Sequence, residues 1–267
     1  MKARAYAAFT VNAFQSRLAY RSAVWSAAFG DLVFIFARIA IWVSVYGAAT
    51  STMTDGVTLP QAITYAIIAG PVLYWDFARL LHDVGTAIQT GDVAVYLLKP
   101  LHYPAFLLAS HIGHFLFELL LVVLPIVVIA GLTYGMVPPA SLFHALAFLA
   151  YWALSFMMLF ALASLAGLAA FWLMTASALE WFLMSIMTLL SGGVVPLWLF
   201  PGWLAAIAGH LPFAWVSYYP AAVYLGRLDV SQTLLYFAIG LVWLAVLLGA
   251  LAWLWTRARH RLIVQGG

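Results

Sequence analysis

The sequence predicts an all-α integral membrane protein with six transmembrane helices, on three grounds. Of its 267 residues, 67% are hydrophobic and only 7% charged, against roughly 45–50% and about 25% in soluble domains. Eleven Lys plus Arg and eight Asp plus Glu cannot coat a water-facing surface of this size. A soluble globule is excluded, and so is a disordered chain, which needs low hydrophobicity and high charge. The apolar residues also fall into runs near the ~20 residues that a helix needs to cross a bilayer. Finally, the basic residues gather on one side of those runs. The chain reads as one transmembrane domain over 1–267, with no room for a large extramembrane unit and no charge run suited to nucleic acid.

Residues 1–22 are basic and rich in Tyr and Phe (Tyr6, Phe9, Phe14, Tyr20). That mixture predicts a helix lying at the membrane interface, although no clean apolar face emerges on projection. The apolar run that follows is too long for a signal peptide, so the start reads as an uncleaved anchor. The first span covers 23–49 and stops at Thr50-Ser51-Thr52 and Asp55-Gly56. The second covers 62–81, and the longest polar stretch of the chain, 82–102, comes next. A third covers 104–130, stopped by Gly131, Gly135 and Pro138-Pro139. The fourth, 142–173, is long enough to tilt or project beyond the bilayer.

A fifth span begins near Leu179 and soon breaks up. Ser191-Gly192-Gly193, Pro196, Pro201-Gly202, Pro212 and Pro220 interrupt apolar sequence there. Half-length apolar pieces split by Gly and Pro predict a re-entrant hairpin over 191–220, between the fifth and sixth helices. Broken backbone at that depth survives only where protein or a watery cavity satisfies its amides. The sixth span covers 234–255.

Six spans bring both termini to one side. Lys2, Arg4, Arg17, Arg21, Arg79, Lys99, Arg257, Arg259 and Arg261 all fall on that side, and the opposite loops hold only Arg227. The positive-inside rule makes the termini and the 82–102 loop cytoplasmic. Trp198, Trp203, Trp215, Tyr218, Tyr219 and Tyr224 read as an interfacial aromatic belt. Small residues on the fourth span (Ala163, Ser164, Gly167, Ala170) and the sixth (Gly240, Gly249) read as close-packing faces.

The chemistry that is missing narrows the function. With only Lys2 and Lys99, the latter followed by Pro100, a phosphate-cradling G-x-x-x-x-G-K-[ST] loop is impossible. No H-E-x-x-H, G-x-S-x-G or cysteine ligand pair occurs either. No catalytic residue and no resident cofactor or metal is expected on this chain.

Ionisable residues at depth are costly and face the bundle interior. Counted at 1.5 Å per residue from the cytoplasmic ends, Arg38 and Glu118 lie about 22 and 21 Å up the first and third spans. Asp31 and His111 lie about 12 and 10 Å up. Matched heights predict neighbouring spans tied by Arg38–Glu118 and Asp31–His111. His111, His114 and Glu118, at i, i+3 and i+7, share a helical face that could hold a metal, but helix-packing hydrogen bonds explain them more simply. Asp76 and Arg79 read as a local pair.

In the cytoplasmic loop, helical periodicity covers Val84–Gln89, Gly91 would cap that helix, and Asp92 would start another. A short, partly apolar helix in the cytosol must bury its face under its own bundle or on another subunit. The chain resembles the ABC-2 type permeases, specifically a branch once catalogued as a domain of unknown function. Four stretches carry the resemblance: Leu18-Ala19-Tyr20-Arg21; Ile88-Gln89-Thr90-Gly91-Asp92 with Tyr96-Leu97-Leu98-Lys99-Pro100; Ser191-Gly192-Gly193-Val194-Val195-Pro196-Leu197; and Phe200-Pro201 through Leu211-Pro212-Phe213 to Pro220.

The resemblance implies the permease half of an ATP-driven exporter in a bacterial cytoplasmic (inner) membrane. Its coupling helix would match about 84–91, with Val84, Gly85, Ile88, Gln89, Gly91 and Asp92 meeting a separate nucleotide-binding subunit. Two such ATPase subunits, carrying ATP and Mg, would pair with two permeases, identical or related. Gly192, Gly193, Pro196, Pro201 and Pro212 would shape the outer hairpin. The alternatives are an ion-coupled secondary transporter using Asp31, Arg38 and Glu118 as a relay, and a membrane-embedded metal protein using His111, His114 and Glu118. No three-plus-three internal repeat supports the first.

Overall fold

The computed structural model describes residues 2–19, 21–48, 56–69, 72–93, 102–169, 172 and 176–265. Every regular element among them is helical: α1 (Lys2–Ala19), α2 (Arg21–Ala48), α3 (Leu59–Ile68), α4 (Val72–Gln89), α5 (Tyr103–Tyr134), α6 (Leu142–Ala169), α7 (Ala176–Leu190), α8 (Gly202–His210), α9 (Tyr218–Tyr224) and α10 (Val230–Gln265). Four of these, α2, α5, α6 and α10, are long and apolar enough to cross a membrane. The expected second and fifth spans are the divided ones. The second splits into α3 and α4, with Gly70-Pro71 between them in the sequence. α7 has 15 residues, and its described apolar stretch is Trp181–Leu190.

Local chemistry sets these boundaries. The Thr58 N–H donates to Gln61 Oε1 (2.9 Å), one arm of a capping box, and opens α3 with Pro60 in its first turn. Ala62 to Ile67 are all buried, as in a helix enclosed on every side. α5 carries a π-turn at Leu119–Val123. Pro125 follows it, has no N–H and collides with the carbonyl four residues back. One extra residue in the turn accommodates it and lets the helix continue. Asp229 caps α10: the Gln232 N–H (2.7 Å) and the Ser231 hydroxyl (2.7 Å) donate to its carboxylate. Those bonds hold its pKa below the usual carboxylate range.

α6 is the hub of the bundle, packing against α4, α9 and α10. Its small residues work as expected at Gly167, where a Cβ would come within 2.7 Å of Val84 Cβ on α4. Gly240 of α10 likewise admits the Trp215 indole, but Gly249 has open space around it and is no packing face. α2, α3 and the second half of α5 enclose a second core of Ile35, Ile39, Ile63 and Ile126. The first and third spans are therefore neighbours along their later halves, where Phe36 and Tyr134 also meet edge to face at 5.4 Å.

α1, the expected interfacial helix, lies alongside the first half of α5. Phe9 meets Phe106, Phe14 meets Phe117, and the Thr10 hydroxyl donates to the Ala109 carbonyl (2.8 Å). Gly113 permits this approach, since a Cβ there would run into the Thr10 carbonyl. One expectation is corrected here: two of the six residues read as an aromatic belt belong to the core. Trp215 and Tyr219 are buried and packed on each other, with ring centroids 4.5 Å apart. Only Trp203 of that group is largely exposed, at 68%.

Candidate functional site

Three features place the residues singled out in the sequence. The first is the free end of α4. The stretch 82–89 is no separate helix but the last part of α4, which runs unbroken to Gln89. Val84 and Gly85 are buried and Ile88 is half-buried in the protein's own core. A partner therefore cannot reach Val84. The exposed residues are His82, Asp83, Thr86, Thr90, Gly91 and Asp92. Gly91 ends the helix with φ 79°, its N–H on the Ile88 carbonyl at 3.2 Å. Asp92 accepts from the Thr90 hydroxyl (2.7 Å), and helix resumes over 92–93. The side chain of Gln89 and residues 94–101, with Tyr96 to Pro100, lie outside the described residues.

The second is a charge node at Glu118. Its carboxylate accepts from the guanidinium of Arg17 on α1 and, at 3.4 Å, from Arg79 on α4. This replaces the expected Arg38–Glu118 tie and joins three helices. Asp31 and His111 are both buried, and the His111 ring stacks on Phe156 of α6 with centroids 4.9 Å apart. His111 and His114 line a cavity of about 270 Å³ between α4 and α5, together with Arg79 and Asp83. Among the described residues, no three His, Asp or Glu side chains converge as a metal site would need. The side chain of Asp76, the expected partner of Arg79, lies outside the described residues.

The third is the break after α7, where a fifth span is expected. Successive carbonyls after α7 are each taken by another element. Ser191 O accepts from the Tyr218 N–H (2.9 Å), Gly192 O from the Tyr65 hydroxyl (2.6 Å), and Gly193 O from the Arg38 guanidinium. Farther on, the Ser155 hydroxyl of α6 donates to Val216 O (2.7 Å). Protein groups thus satisfy this interrupted backbone where water is scarce. Gly192 is required twice over: its φ is 75°, and a Cβ would come within 2.6 Å of Leu197 and 2.9 Å of Tyr218. Pro196 and Pro212 are buried, Pro201 precedes α8, and Pro212 opens a short 3₁₀ turn, Pro212–Trp215.

Sequence reasoning missed Arg17 and Tyr65 as partners. Arg17 sat in the basic leader and counted only toward orientation. Tyr65 lay inside an apolar run, and nothing local marks which buried tyrosine will cap a distant carbonyl.

The bundle, the exposed helix end and the satisfied break describe a membrane component. A family model described as ABC-2 family transporter protein matches residues 31–266. The chain belongs to the ABC-2 transporter family. It is a multi-pass membrane protein and a permease of an ABC-type transporter. The match includes α4's free end, Arg79 and Glu118, and the break after α7, while α1 with Arg17 and the Leu18–Arg21 stretch precede it. No curated protein matches the chain.

Proposed function

We propose that this ABC-2 family chain is the permease subunit of an ATP-driven exporter, coupled to separate ATPase subunits through the exposed end of α4. The free energy then comes from ATP and Mg on two partner subunits, and two permeases, identical or related, enclose the path. The supporting observation is the single rigid helix from Val72 to Gln89, which ends in an exposed capped turn and is wedged at Val84 against Gly167 of α6. A push on Thr86, Thr90 or Asp92 would reach the bundle without passing a joint. Arg79, on the same helix, would carry part of it to Glu118 and so to α1.

In this reading six spans cross the bacterial cytoplasmic membrane with both termini inside, α3–α4 and α7 completing the four long helices. The segment 191–220 forms an outer re-entrant hairpin. α5 is about 48 Å long and outruns a hydrocarbon core of about 30 Å. α1 exposes Asn12, Gln15 and Ser16, which suits a helix outside that core. Glu118, at the level of Arg17 near the end of α1, then lies at the cytoplasmic boundary and not at mid-membrane.

The test is reconstitution of the permease with the ATPase that co-purifies with it. Thr86→Trp adds bulk to the exposed face only and is expected to abolish transport-stimulated ATP hydrolysis while the chain still folds. Proton-driven transport by the chain alone, with no ATPase travelling with it, would overturn the proposal in favour of an ion-coupled carrier.

A further inference from the structure

Between α3, α5, α6 and α9 lies a cavity of about 410 Å³, inside the range of about 300–1,000 Å³ that small-molecule sites occupy. Leu119, Val123 and Val127 recur at every fourth position of α5 and form one wall along its axis. Phe148 and Trp152 of α6 face them, and Ile67 of α3 contributes to the lining. On α5 the lining runs from Leu119 to Val127, about 12 Å along the helix axis, and Met136, which also lines the space, folds back against Gly131. That wall follows a helix long and apolar enough to cross a membrane, which is the direction of hydrocarbon chains.

The cavity opens sideways. Leu124 and Leu149 at its edge are 45% and 59% exposed, and Leu120, Leu121 and Leu146 continue the same apolar surface beside it. Apolar cavities stay dry, and the medium that borders such a surface in a bilayer is lipid. Tyr224, with its hydroxyl, contributes the polar edge among otherwise apolar lining.

We propose that this groove binds one acyl chain of a bilayer phospholipid, with the headgroup at the Met136 and Tyr224 end. The occupant is a resident lipid, separate from any transported substrate. The groove needs only membrane embedding, so it stands whether or not the chain works as an exporter.

Native mass spectrometry of the full-length chain, purified in mild detergent with added palmitoyl-oleoyl phosphatidylethanolamine, tests this. One phospholipid is expected to remain on each wild-type chain. Val123→Trp fills the groove and is expected to lower the retained fraction about tenfold, equivalent to about 1.4 kcal/mol. Leu149→Trp, at the exposed edge where bulk is tolerated, should lower it too and keeps the test valid if Val123→Trp misfolds. Leu142→Trp, on an exposed position outside the lining, should leave it unchanged. Equal retention in all four proteins would overturn the proposal. So would variants that keep the lipid but lose a dimer mass, because the groove would then be covered by a second copy of the chain.

Discussion

Three consecutive carbonyls after α7 are capped by three different elements: Tyr218 N–H, Tyr65 Oη–H and the Arg38 guanidinium. Leaving a buried acceptor unpaired costs more than the net worth of the bond that held it. Tyr65→Phe removes only the hydroxyl from a fully buried ring, and its cost is expected to be about 1–3 kcal/mol. Gly192→Ala combines left-handed backbone with collisions against Leu197 and Tyr218, for which about 2–4 kcal/mol is expected. Gly30→Ala on α2 is the contrast. Nothing lies within 4 Å of its Cβ position, and the gain in helix propensity is about 0.5–1 kcal/mol. Thermal unfolding of the three detergent-solubilised variants, followed by intrinsic fluorescence, should rank Gly192→Ala lowest and Gly30→Ala at or above the wild type.

Elements were legible where length and composition alone decide them, and obscure where a tertiary contact decides. The four long apolar helices stood out because a run of ~20 apolar residues has few other uses. The break after Leu190 was visible in its Gly and Pro residues, whose backbone limits are local. Which carbonyls those breaks expose, and that Arg38 and Tyr65 would meet them, depends on packing between distant spans and left no sequence signal. Matching heights along straight helices paired Glu118 with Arg38. That count assumed α5 starts at the membrane boundary and overlooked α1, whose Arg17 takes the carboxylate. The node gives a sharp test. Glu118→Arg sets three guanidiniums together and is expected to lower the melting temperature of the solubilised chain. Combining it with Arg17→Glu restores opposite charges between α1 and α5 and should recover most of the loss. The corresponding exchange with Arg38→Glu should recover none. Equal rescue by both exchanges would show that Arg17 is not the partner that matters.

For the whole molecule, the proposed coupling to an ATPase asks how a signal at an exposed turn would reach the path. α4 runs from that turn into the bundle as one helix, so on this proposal docking at its end and transmission through its buried face are separable by mutation. Gly91 governs the end. Its φ of 79° is left-handed with open space around it, so the cost of a side chain is conformational, not steric. Gly91→Asn should retain ATPase stimulation because Asn tolerates that region, whereas Gly91→Val should lose it. On the same proposal, Gly167 would govern transmission. Gly167→Ala brings a Cβ within 2.7 Å of Val84 Cβ, and two rigid helices have to separate to relieve it. Because the exposed turn is untouched, this variant should still bind its ATPase while transport falls. Val84→Gly removes the opposing Cβ. The double variant Val84→Gly, Gly167→Ala should therefore bring transport back toward wild type, although Val84→Gly alone only loosens the contact. Co-purification and transport measured side by side on these variants decide the matter. A Gly167→Ala chain that transports normally would show that the push from the ATPase does not travel through the α4–α6 contact.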